Sequence, residues 1–326
     1  MKWKLIIVAV AVSLITVLFA SHAAAARQNP GSCLLFPYYD HSKSSLTVVT
    51  IANVSSDSEW VRIVWIDGSD CYPKDWYIRL TGNDTFTFMS HALNPVSGTR
   101  GFIYAYVVEK YGSELEKDAD VLIGQELLLS LWGDMMVHSS VNPVIFQCLG
   151  VVGPPDGKLR LDGKEYTAAP RKLYFPRFFG QDAFFRSRLV LINLTGGMYF
   201  DATAKVLCYN DNEYVFSATT SFDCWEMRDL DDVSNIFTNQ FLLSTNHDIG
   251  EPAGFSSFIE TGMFNIEGSV AVNPSPYVVI DDPSIYGVLI EGIGAMGYGT
   301  SDLPMQIEDT SKFVNGMLWS TDPYGS

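Results

Sequence analysis

Leu34-Leu35-Phe36-Pro37-Tyr38-Tyr39, followed by Leu46-Thr47-Val48-Val49-Thr50-Ile51-Ala52-Asn53, returns 139–140 residues later as Leu173-Tyr174-Phe175-Pro176-Arg177-Phe178-Phe179, followed by Arg188-Leu189-Val190-Leu191-Ile192-Asn193. After each asparagine comes a short polar turn and a second apolar run, Trp60 to Asp67 and then Ala202 to Asn210. Alternation in these runs has a period of two, and Val, Ile, Thr, Tyr, Phe and Trp dominate them, so they read as strands. Short strand spacing without amphipathic helices between strands favours antiparallel sandwiches over a parallel α/β sheet. A duplicated all-β unit accounts for the preserved order.

Working outward, Gly101 to Val108 aligns with Ile266 to Val272, and Asp120 to Gly124 with Tyr286 to Gly292. The offset there is 167, which gives the second copy about 28 extra residues, placed within 211–265. One helix is expected in that insertion: Met227 to Leu243 spaces Leu230, Val233, Ile236, Phe237 and Phe241 at near-helical intervals, with Asp229, Asp231 and Asp232 suited to a first turn. Residues 151–170, rich in Gly, Pro and Asp, read as a linker or connector between units at 27–150 and 171–326.

Residues 1–26 place Lys2 and Lys4 before an apolar run from Leu5 to Ala20 and end in Ala23-Ala24-Ala25-Ala26, the layout of a signal peptide cleaved near Ala26. The apolar run is shorter than the roughly 20 residues that span a bilayer as a helix. Export to the periplasm, cell surface or extracellular space is the expectation, with no transmembrane segment after cleavage. Disulfides persist in such compartments. Five cysteines are present, and Cys208 and Cys224 are the nearest pair. Cys33 then pairs with Cys71 or Cys148, leaving one buried thiol.

The chain carries a net charge of −16, which becomes −18 once Lys2 and Lys4 are removed, so nucleic acid is excluded as a partner on charge. Gly292-Ile293-Gly294-Ala295-Met296-Gly297 has dinucleotide-loop spelling, but the Gly- and Pro-bearing residues after it are unsuited to the helix N-terminus that a pyrophosphate requires. His41, His91, His138 and His247 lack metal-ligand spacing. No cofactor is expected, although Glu226, Asp229, Asp231 and Asp232, or Asp281 and Asp282, are oxygen donors of the kind calcium takes. Hydrolase signatures such as G-x-S-x-G and H-E-x-x-H are missing, and no catalytic residue is assigned. Trp60, Trp65, Trp76, Trp132 and Trp225 are the tryptophans to inspect, and of these Trp60, Trp76, Trp132 and Trp225 are the candidate ligand-contact aromatics.

The repeated phrase, Phe-Pro-x-Phe/Tyr followed by a strand ending in Asn, resembles uncharacterised exported bacterial proteins built from tandem β-sandwich repeats. It covers about 60 residues of each copy. The resemblance implies two immunoglobulin-like sandwiches and a surface or extracellular setting, and it brings no catalytic residues. The expected function is a non-catalytic structural or interaction protein with a protein or polysaccharide partner. The alternatives are a pair of carbohydrate-binding modules, marked by a row of exposed rings on one sheet face, and a hydrolase, marked by convergent carboxylates in a cleft.

Overall fold

The computed structural model describes residues 29–93, 98–113, 117–132, 135–150, 158–182, 184–195, 200–245, 260–274, 277–294, 298–300, 305–307 and 316–319. The leader expected at residues 1–26 therefore lies outside the described residues, as do His247 and 151–157 of the expected connector. The first copy supplies β1 (Cys33–Asp40), β2 (Ser45–Asn53), β3 (Glu59–Asp67), β4 (Pro73–Leu80), β5 (Thr85–Met89), β6 (Arg100–Val108), β7 (Leu122–Trp132), β8 (Met135–Val141) and β9 (Val144–Phe146). β10 (Lys158–Arg160) precedes the second copy. That copy has β11 (Lys172–Phe179), β12 (Phe185–Asn193), β13 (Asp201–Asn210), β14 (Val215–Phe222), β15 (Trp225–Asp229), β16 (Thr261–Pro274), β17 (Tyr277–Asp281), β18 (Ile285–Ile293), β19 (Tyr298–Thr300) and β20 (Met305–Ile307). β21 (Met317–Trp319) pairs back onto β10.

The chain is all-β, and its strand order repeats. One sheet runs β4-β3-β6-β1-β9 and its counterpart runs β14-β13-β16-β11-β20, with β17 added to β16. Apart from the two-stranded β10-β21 pair, the remaining strands form one eight-stranded sheet, β15-β12-β18-β19-β8-β7-β2-β5, whose two arms meet where β8 pairs with β19. That junction is the one parallel pairing among the described strands. The sheets form a four-bladed, propeller-like ring, which corrects the expectation of two separate immunoglobulin-like sandwiches. The physical reason is burial: β1, β3 and β6 are apolar on both faces, so one partner sheet cannot cover them. Leu34, Phe36, Ile63, Trp65, Ile103 and Ala105 pack toward β2, β5 and β7. Leu35, Val64, Ile66, Tyr104 and Tyr106 join a core continuous with Leu173, Phe175, Leu189 and Ile192 of the second copy.

The repeated phrase is a β-bulge. Pairing of β1 with β6 slips between Phe36 and Tyr39, and pairing of β11 with β16 slips at the equivalent place, between Phe175 and Phe178. Proline cannot donate to a ladder, and a bulge is where a strand tolerates it. The extra residue inverts side-chain parity. Leu34 and Phe36 share a face with Tyr39, while Cys33 and Leu35 share the other with Tyr38. The asparagines closing β2 and β12 hold the following turns: Asn53 donates to the Asp57 and Thr81 carbonyls, and Asn193 donates to that of Phe200.

Three expectations are corrected. Strand register equates Gly101 with Gly262 and Leu122 with Ile285, offsets of 161 and 163 in place of 167, so the second copy's insertion is shorter than about 28 residues. The single helix expected over Met227 to Leu243 is instead a strand end followed by three short helical segments, α-helical at Leu230–Val233 and Asn239–Ser244 and 3-10 at Asn235–Phe237. Ser234 and Thr238 accept N–H bonds from Ile236 and Phe241, and as caps they restart the chain each time. Finally, Cys224 bonds to Cys71 and not to Cys208. Cys33, Cys148 and Cys208 are buried thiols, with burial pushing Cys208 up to about 12.

The Cys71–Cys224 bridge spans 153 residues and ties one copy to the other. In the chain-entropy model a loop of that length stabilises by about 5 kcal/mol. Replacing both cysteines by serine is expected to lower the free energy of denaturant unfolding by about 2–5 kcal/mol while the far-ultraviolet spectrum stays native. A loss below about 0.5 kcal/mol, the size of an ordinary surface change, would show that the bridge does not constrain the unfolded chain.

Candidate functional site

The disulfide sits at a seam between the copies, and Trp225, the first residue of β15, closes it. Its ring stacks on Tyr38 at 5.8 Å and 6°, and its indole N–H donates to the Pro37 carbonyl at 3.3 Å. The bulge that turns Tyr38 inward thus creates the receptor for Trp225. Gly68 lies against the same ring, so a Cβ there would strike it. Beside Trp225 opens a cleft of about 510 Å³ lined by Gly68, Asp201, Phe222, Asp223, Glu226 and Arg228. Burial, then the hydrogen bond and negative charge of Asp223, push the Asp201 carboxyl above its usual range. Arg228 is paired with Glu226 at 2.5 Å and donates to Thr220 Oγ1 at 2.8 Å and the Ser221 carbonyl at 3.0 Å.

A second feature is an aromatic boss carried by β3, β4 and the chain after β6, on the face of that sheet that bears the shared core. Tyr111 meets Trp60 edge-on at 5.5 Å and leans on Tyr77 at 5.3 Å. Arg62, almost fully buried, lies over the Tyr77 ring at 5.4 Å and donates to Asp75 at 2.9 Å and the Tyr106 hydroxyl at 3.1 Å. Trp60 and Tyr77 are half-buried, while Tyr111 is 67% exposed. The boss is therefore a rigid base carrying one prominent ring.

A third cluster gathers polar groups near the end of the first copy's sheet. His41 stacks on Tyr39 at 5.5 Å, and burial lowers its pKa, opposed by Asp40 and reinforced by His91. Burial alone would raise Asp40. The Ser42 hydroxyl and N–H together with Arg100 outweigh it and hold the carboxyl below its usual range. The ion pair from Arg100 Nε measures 2.9 Å. Nearby in sequence, Tyr38 donates its hydroxyl to Asp40 and its N–H to Glu126. Glu126 is 2% exposed, its Oε2 has no hydrogen-bond partner, and burial pushes its pKa up to about 8. Strand register equates it with Leu289, a fully buried leucine.

Among the inspected tryptophans, Trp65 is core and Trp225 belongs to the seam. Trp60 and Trp76 point to opposite sides of their sheet, since Trp60 packs on the shared core while Trp76 alternates with Ile78 and Leu80 toward the other. The Trp132 side chain lies outside the described residues. Of the acidic candidates, Glu226 and Asp229 are held by Arg228 and Arg188, and Asp231 and Asp232 are exposed on a helical turn. Asp281 ends β17 and Asp282 follows with φ of 52°. No group of three or more His, Cys, Asp or Glu among the described residues is arranged to hold a metal ion. Residues 295–297 of the glycine-rich stretch lie outside the described residues, and the chain after them is the strand β19. No helix among the described residues is long and apolar enough to cross a membrane.

The sequence reading missed Tyr111, the Asp201–Asp223 pair and Glu126. Only Glu126 carried a signal: Leu122, Gly124, Glu126 and Leu128 share one parity of β7, which sets a carboxyl in an apolar register. Neither protein-family models nor curated proteins show a match to the chain. Among solved structures, a crystal structure of Thermotoga maritima 1070 is similar over 36% of this chain and 97% of its own, at 13% identity and a TM-score of 0.29.

Because the native pKa of Glu126 lies above the unfolded one, the folded protein keeps a proton that the unfolded chain releases between about pH 4.5 and about pH 8. Its stabilising state exists at low pH and is lost as pH rises through that window, at up to about 1.4 kcal/mol per pH unit. Glu126→Gln is expected to flatten this fall in unfolding titrations between about pH 5 and pH 8. An unchanged slope would place the carboxyl in water.

Proposed function

We propose that this is an exported, non-catalytic interaction protein of the cell envelope or extracellular space, contacting a protein partner through the Tyr111 boss. The leader-like 1–26 and a cross-copy disulfide support an oxidising compartment. The observation that carries the contact reading is the boss itself: Trp, Tyr and Arg dominate interface hot spots, and all three residue types meet there. Its rings meet at 64° and 54°, not in one plane, which suits a shaped protein pocket better than the flat stacking of a sugar ring.

A hydrolase is the second reading, favoured by one observation: Asp201 and Asp223 converge in a cleft with one carboxyl raised. Against it, both carboxyls are exposed, whereas acid catalysis gains from a site that excludes water.

Affinity capture from envelope and medium fractions of the exporting cell, comparing the native chain with Tyr111→Ala, separates the readings. A partner held by the native chain and weakened about 30-fold by the variant, the effect of a 2 kcal/mol hot spot, supports the proposal. Equal capture by both would refute it. Turnover of a glycoside or peptide that vanishes in Asp223→Asn would install the hydrolase in its place.

A further inference from the structure

We propose that the outer edge of β14 is a strand-addition site that accepts an extended, cation-flanked segment of a partner protein as a further strand of the second copy's sheet. This deepens the interaction reading above and rests on it.

β14 is the terminal strand of its sheet among the described residues, eight residues long and paired only with β13. Arg228 reaches the Ser221 carbonyl, so Ser221 turns its backbone groups away from β13. Alternation then turns Val215, Ser217 and Thr219 the same way. Among the described residues no backbone group bonds to those three. An unpaired edge is a template for another chain, and proteins ordinarily block it with Pro, Lys or other charges. β14 reads Val-Phe-Ser-Ala-Thr-Thr-Ser-Phe, without a charge or a proline.

The first copy provides an internal control. Register through Trp65↔Lys74 and Cys208↔Phe216 equates Pro73 with Val215, Lys74 with Phe216, Asp75 with Ser217 and Arg79 with Ser221. The same edge is thus closed by a proline and three charges in one copy and left open in the other. Pro73 lacks an N–H at a position whose donor would face outward, which agrees with the orientation read from Arg228.

Charge identifies the occupant. Asp211 and Glu213 flank one end of β14, and Asp201, Asp223 and Glu226 flank the other, with Arg228 already committed to Glu226. Two copies pairing antiparallel through β14 would bring these acidic ends together, which disfavours a second copy. A segment with a neutral, alternating middle and Lys or Arg at both ends satisfies the backbone along roughly 26 Å and both acidic ends at once.

The test uses the intact chain and a fluorescein-labelled peptide of alternating Val and Thr with two lysines at each end, read by anisotropy. The lysine-flanked peptide is expected to bind, to bind at least tenfold tighter than a glutamate-flanked version, and to weaken with salt. Val215→Pro with Ser217→Asp, which installs the first copy's residues, is expected to weaken it at least tenfold while the thermal transition stays put. Amide exchange at Val215, Ser217 and Thr219 should slow in the complex. Equal binding by the double variant, weakening by Tyr111→Ala, or dimers that the double variant dissolves without any peptide binding would each overturn the proposal. Failure of the peptide while Tyr111-dependent capture persists removes the edge site and leaves the interaction reading standing.

Discussion

The whole arrangement depends on three central strands, β1, β3 and β6, that are buried on both faces. On β1, β3 and β6 the side facing away from the first copy's own partner strands carries Leu35, Val64, Ile66, Phe102, Tyr104, Tyr106 and Val108, all buried. At about 1.5–3 kcal/mol per side chain, exposing these seven would cost on the order of 10–20 kcal/mol. That matches or exceeds the roughly 5–15 kcal/mol that holds an ordinary domain folded. The second copy is therefore a required cover, and the disulfide and Trp225 seam secure a union that apolar burial already demands.

That constraint explains what the sequence made legible. Duplication was visible because the bulge needs Phe-Pro in the same place twice and the closing asparagine needs the same turn twice. Period-two alternation fixed strands, and hence the all-β class. The later register was not legible, because apolar alternation looks alike when slid by an even number of residues. Gly101 and Gly262 anchor it instead, each lying where a side chain would strike the neighbouring strand's carbonyl. The fusion also escaped, since β3 and β6 read as sandwich strands until their second apolar face is given a partner. Cysteine spacing favoured Cys208 with Cys224, yet the two copies lie across the seam, where distance in the chain says nothing about distance in space.

Function is most informative where two copies of one topology part ways. Glu126 replaces a buried leucine, Trp65 stands where the other copy has Cys208, and a closed edge at β4 faces an open one at β14. The first two departures lie in the core and the third at a sheet edge. None of these pairings was evident from residue types alone, because each depends on which face a bulge or a register gives its members.

The central claim, that the two copies are one cooperative body, is tested most directly by differential scanning calorimetry of the oxidised chain without residues 1–26. The account predicts a single transition whose calorimetric and van't Hoff enthalpies agree. Two resolved transitions, each carrying about half the heat, would contradict it.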